Sequence, residues 1–139
     1  MEYIKKDGAY ILRLDKGEEV STQLFQFCKR EGLKAGVVTG LGAADKAVIG
    51  LFDPQSKVYH RKEFTGPMEI TSLLGNISVM DGKPYLHLHI NLCNENLQVI
   101  GGHMSECWIS ATCEITILSL DMEPGRKFST DIGLNLYQF

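Results

Sequence analysis

Three histidines stand where their side chains can meet. The stretch Tyr85-Leu-His-Leu-His-Ile-Asn-Leu92 alternates apolar and polar residues, the pattern of a half-buried strand whose successive side chains point to opposite faces. Leu86, Leu88, Ile90 and Leu92 then form a core face, and Tyr85, His87, His89 and Asn91 share the other. Two imidazoles at this spacing lie about 6–7 Å apart at their Cα atoms and can converge on one ion with bonds of about 2.0–2.1 Å. His103 follows Gly101-Gly102, where the backbone can bend or approach another strand closely. A turn at Asn94-Glu-Asn96 folds the strand from Leu97 back beside residues 85–93. A pairing centred on Glu95 sets His103 opposite His87, and a bulge at the diglycine would shift that register by one.

Three neutral imidazoles suit zinc, with nickel, copper, cobalt and iron also accommodated. Three protein ligands leave a coordination position open to water or to a small anionic or carbonyl-bearing ligand. A His-x-His pair on a half-exposed strand is also ordinary polar surface; the third histidine across a short hairpin turns the reading towards metal. His60 has no such context and reads as solvent-exposed.

Other polar residues are placed by the same logic. A two-residue hairpin at Asp81-Gly82 pairs Asn76 with His87, so Asn76 either orients that ring or ends a Gly75-Asn76 bulge. Glu114 shares a polar strand face with Ser110, Thr112 and Thr116. It reads as a general base or pocket residue, or as a solvated carboxylate, and Glu69 and Glu106 stand in the same position. The stretch Gly36-Val-Val-Thr-Gly-Leu-Gly-Ala43 has neither Gly-x-Gly-x-x-Gly nor a P-loop lysine. Its glycines mark bends between strands or a backbone nest for an anion.

The elements that must position these residues follow from periodicity. Tyr10–Leu14 reads as a first strand. Val20, Leu24, Phe27 and Cys28 recur at helical spacing, with Ser21 or Thr22 near the start and Gly32 past the end. Strands follow at 36–39, 47–52, 57–64, 69–80, 85–92, from 97 and at 108–120, with Gly66-Pro67 as a break. Many strands and one helix predict an α+β fold with a mostly antiparallel twisted sheet. One helix covers only part of such a sheet, so the remaining apolar area calls for curvature or a partner subunit. A single domain over residues 1–139 is expected, with its core at about 8–121 and residues 122–139 as a C-terminal tail packed on it.

Composition narrows the function classes. The 139 residues are 44% hydrophobic, ordinary for one soluble domain. No apolar run approaches the roughly 20 residues of a membrane helix, so no membrane partner is expected. The N-terminus has no apolar signal core, with Asp7 where one would lie, so a cytoplasmic protein is expected. A net charge of −3 argues against a strong electrostatic grip on nucleic acid. Cys28, Cys93, Cys107 and Cys113 are widely spaced and read as reduced core thiols.

The order of several motifs resembles the PPC (plants and prokaryotes conserved) domain over roughly residues 8–121. These are Thr39-Gly-Leu-Gly-Ala43, Gly66-Pro-Met-Glu-Ile70, Ser72-Leu-Leu-Gly-Asn-Ile-Ser78, Asp81-Gly-Lys-Pro84, His87-Leu-His89 and Gly101-Gly-His103. The resemblance implies an antiparallel sheet flanked by one or two helices, and a homotrimer. It also implies a zinc-type site, because members with this His-x-His and Gly-Gly-His pattern look like zinc binders; their histidines map onto His87, His89 and His103. The domain occurs alone in bacteria and archaea and beside AT-hooks in plant nuclear proteins. Plant members contact other regulators through Gly-Arg-Phe-Glu-Ile-Leu, where this chain has Gly66-Pro-Met-Glu-Ile-Thr71, and no Arg-Gly-Arg-Pro AT-hook is present. A DNA-associated or regulatory module is thus an alternative by family analogy. A metal-dependent enzyme, with Glu114 handling protons, is another.

Overall fold

Eight strands and one helix make up the chain, which the computed structural model describes from Met1 to Phe139. They are β1 (Glu2–Lys6), β2 (Ala9–Asp15), α1 (Val20–Glu31), β3 (Gly36–Asp53), β4 (Val58–Met80), β5 (Lys83–Asn94), β6 (Val99–Ser119), β7 (Gly125–Ser129) and β8 (Leu134–Gln138). The fold is the expected α+β class, with one mostly antiparallel sheet and one helix. Several of its strands are longer than their sequence pieces and join two of them. The segments at 36–39 and 47–52 are two parts of β3, joined through register shifts at Gly40/Gly42 and Ala44/Lys46. The segments at 57–64 and 69–80 likewise belong to β4, which runs through Gly66 at φ 106° instead of breaking there. The glycines of β3 serve close packing: a Cβ on Gly40 would lie 2.9 Å from the Glu114 carbonyl oxygen. The stretch is paired strand, so the bend reading fits and an anion nest does not.

The strands close on themselves. β3 pairs with β4 and β6, and β5 pairs with the same two strands, so β3, β4, β5 and β6 form a cycle. The hairpin β1–β2 extends the sheet from β6. It begins earlier than the strand expected at Tyr10, through an Asp7-Gly8 turn with both φ angles positive. The helix forms as its period predicts, burying Val20, Leu24, Phe27 and Cys28 against β5 and β6. It stops at Gly32, whose φ of 66° is the left-handed cap. Its first turn is capped by Glu19 and not by Ser21 or Thr22. The Glu19 carboxylate accepts the N–H groups of Ser21 and Thr22 at 2.9 and 2.7 Å, and that of Cys107 at 3.1 Å. Two oxygens can serve three donors where one hydroxyl cannot, and the third donor ties the helix to β6.

The C-terminal tail is an ordered hairpin. β7 and β8 pair antiparallel, and β7 joins the sheet beside β4 at Val79. The core lies between α1 and the strand cycle and includes Leu12, Leu14, Phe27, Leu73, Ile77, Ile90, Leu92, Ile115 and Ile117. All four cysteines are unpaired. Burial pushes Cys28, Cys107 and Cys113 up to about 12, so they remain protonated and do not offer thiolate ligands. No helix is long and apolar enough to cross a membrane.

Candidate metal centre

The alternation of β5 places the histidines. Leu88, Ile90 and Leu92 are buried in the core, while His87 is half-buried and His89 exposed on the other face. The Asp81-Gly82 turn sets Asn76 opposite His87, the expected register. The β5–β6 register differs by two residues: His103 pairs with His89, not with His87. The connecting loop centres on Asn96. Asn94 Oδ1 accepts the N–H groups of Asn96 and Gln98 at 3.0 Å each, and Leu97 takes a φ of 58°. A two-residue shift keeps His103 on the same face, because strand side chains repeat every second residue. No bulge occurs at the diglycine, where Gly101 and Gly102 pair in step with Asn91 and Ile90. These glycines let three strands crowd together. A Cβ on Gly102 would lie 2.8 Å from the Gly50 carbonyl oxygen and 2.9 Å from Ile49 Cγ2.

The result is a triangle of imidazoles. Ring centroids are 5.2 Å (His87–His89), 5.4 Å (His87–His103) and 5.6 Å (His89–His103) apart. One nitrogen from each ring lies within 4.8 Å of the others. His87 Nε2 and His89 Nε2 are 3.3 Å apart. Two ligands on a tetrahedral ion with bonds of about 2.0–2.1 Å are separated by about 3.3–3.4 Å. His103 Nδ1 is buried with no hydrogen-bond partner, and a buried nitrogen without a partner carries a desolvation cost that a ligand would relieve. Burial, then the His87 and His89 rings, then the Arg61 guanidinium push His103 down to about 4. His87 is lowered by burial, His89 and Arg126. Both are therefore neutral near pH 7, the form that ligates metal. Three converging imidazoles, one of which carries an unsatisfied nitrogen, make a donor set that fits a divalent transition ion.

Several residues around the triangle escaped the sequence reading. Gly50 of β3 pairs with His103 on one side and Arg61 on the other. Its missing side chain admits the Tyr59 ring, which a Cβ there would meet at 2.5 Å, and that ring lies 5.4 Å from His103. On the far side, Arg126 of β7 donates to Ser78 Oγ, the Asn135 carbonyl and Asn76 Oδ1. Its guanidinium lies over Tyr85 and Tyr137. Arg126 cannot be found from periodicity, because the C-terminal tail it lies in has few periodic apolar positions. Asn76 Oδ1 is thus held by Arg126 and by the Tyr137 hydroxyl at 2.8 Å, which anchors the hairpin beside His87. Glu114 does not join the cluster. It is exposed, pairs across strands with Arg13 and Leu41, and lines a groove with Ile11, Thr71 and Ser72. Glu69 and His60 are exposed as well.

A model of the Plants and Prokaryotes Conserved (PCC) domain matches residues 1–121. A protein from Bacteroides thetaiotaomicron, provisionally named as DNA-binding, superposes with a TM-score of 0.97 at 33% identity, covering 99% of this chain and 96% of that one. A metal-containing protein from Archaeoglobus fulgidus is 36% identical at a TM-score of 0.89, covering 99% and 97%. A plant- and prokaryote-conserved protein from Pyrococcus horikoshii is 32% identical at 0.87, covering 99% and 94%. Among curated relatives, the Bifunctional protein GlmU of Synechococcus sp. (strain JA-3-3Ab) is 32% identical over 110 residues. That match takes in 78% of this chain and 16% of the relative, so the chain spans about a sixth of its length.

Proposed function

From the premise that this chain belongs to the Plants and Prokaryotes Conserved (PCC) domain family, we propose that it is a homotrimeric domain binding a divalent metal, zinc, through His87, His89 and His103. One coordination position is left for a small ligand. The observation that carries the reading is the meeting of one imidazole nitrogen from each of the three rings within 4.8 Å, in a cluster where His103 Nδ1 is buried and unpartnered. The metal-containing relative from Archaeoglobus fulgidus supports it by analogy. An ion held by three neutral imidazoles supplies Lewis acidity at its remaining position. The protein's own part is to hold His87 and His103 neutral, fix two of the rings on one strand and bring the third across the hairpin. Elemental analysis after zinc loading tests this, with one zinc per chain expected in wild type and none retained in His87→Ala or His103→Ala. A wild type without stoichiometric metal after loading refutes it.

A second reading, a DNA-associated module, is favoured by the name of the Bacteroides relative. The net charge of −3 weighs against it. A shift of duplex DNA at micromolar protein that weakens with salt supports this reading, and no shift at low salt removes it.

A further inference from the structure

Resting on the metal reading above, we propose that the open side of the histidine triangle binds a small oxyanion, a carboxylate or a phosphate group, bridging the metal and the Arg61 guanidinium. The placement is set by register. His103, Gly50 and Arg61 form one cross-strand row over β6, β3 and β4, and directly paired residues present their side chains on the same face. With no side chain on Gly50, nothing from β3 stands between the arginine stem and the imidazole. A Cβ there would lie 3.6 Å from Arg61 Cγ. The Tyr59 ring fills the gap, 5.4 Å from His103 and 5.6 Å from the Arg61 guanidinium.

Charge then selects the ligand class. The two arginines near the triangle differ in how their donors are used. Arg126 spends its guanidinium on Ser78, Asn135 and Asn76 and is stacked between two tyrosines. Arg61 is exposed, donates no hydrogen bond and has no carboxylate partner; the arginines in the chain's ion pairs are Arg13 and Arg30. The metal-ligating group itself contains no carboxylate. The acids in the next cross-strand row, beside Val48, are Glu63, already paired with Lys46, and Glu106. A divalent ion on three neutral ligands beside a free guanidinium leaves a local excess of positive charge. An oxyanion answers both centres, one oxygen on the metal and others on the planar fork of arginine donors.

Cobalt-loaded full-length protein gives the test, because its visible absorption reports exchange at the open position. Acetate, inorganic phosphate and neutral acetamide are titrated separately into wild type, Arg61→Met and Arg61→Lys. Acetate or phosphate is expected to shift the spectrum at concentrations where acetamide does not, and the tighter of the two names the source. Arg61→Met should weaken that anion about tenfold or more, the loss of one charge-assisted contact, while cobalt affinity stays within roughly threefold. Arg61→Lys should recover part of the loss. No response to either anion, or equal anion affinity in wild type and Arg61→Met, overturns the proposal and leaves the metal reading standing. A wild type that takes up no cobalt overturns the metal reading and this one with it.

Discussion

His103 separates a metal ligand from an ordinary core histidine, because the two make opposite demands on its free nitrogen. A structural histidine at a half-buried position ends up hydrogen-bonded, whereas His103 Nδ1 is buried with no partner. Leaving such a donor or acceptor unmet costs about 1–3 kcal/mol. In metal-free protein, His103→Phe keeps a flat ring beside Tyr59 and removes the unmet nitrogen. It is expected to be at least as stable as wild type to urea at pH 8, with a gain of up to about 1 kcal/mol, while losing metal. A loss of more than about 2 kcal/mol would mean that the imidazole holds the fold and is not kept for a ligand. Both proteins must be stripped of metal first, since bound zinc stabilises the wild type alone.

At the level of elements, Glu19 joins the helix to the strand that carries His103. Burial alone would raise its carboxyl, but hydrogen bonds from Thr22, Ser21 and Cys107 outweigh that and hold it below its ordinary value. A folded-state value below the unfolded one of 4.5 means that its stabilisation is complete above that value and disappears as pH falls through the lowered one. Glu19→Gln should therefore cost about 1 kcal/mol at pH 7. Its melting temperature should converge on that of wild type as the pH is lowered from 5 towards 3, as followed by circular dichroism. A constant gap would place the effect in packing instead of charge. This cap also shows what can be read from sequence. The helix was legible because its apolar period and Gly32 stop are local, but the identity of its cap depends on Cys107, far along the chain. Strand alternation fixed the face of His87 and His89, and the Asp81-Gly82 turn fixed Asn76 opposite His87. The four-residue loop at 95–98 was not legible to that accuracy, because Asn94 closes it through side-chain bonds that no pattern announces. Arg61 and Tyr59 were missed because their approach to His103 depends on Gly50 pairing with two strands at once.

For the whole molecule, the histidine face continues into apolar surface that one helix cannot cover. Ile11, Thr116, Thr39, Leu74 and His89 lie in one hydrogen-bonded row across β2, β6, β3, β4 and β5. The parallel row holds Leu118, Val37, Asn76 and His87. Ile11, Val37, Leu74 and Leu118 are 55%, 47%, 55% and 52% exposed. Grouped on one sheet face, such side chains mark an interface more than chance surface, and a homotrimer would bury them. Light scattering is expected to give three times the 15.5 kDa of one chain. Leu74→Glu should lower that mass, because a carboxylate placed in an apolar interface must be desolvated without a partner. The three histidines belong to a single chain, so zinc should remain at one per chain in the smaller species. Any shift in its affinity there is expected to act through His89, the residue paired with Leu74. A wild type that scatters as one chain removes the trimer, and zinc lost together with the assembly would mean that the neighbouring subunit completes the site.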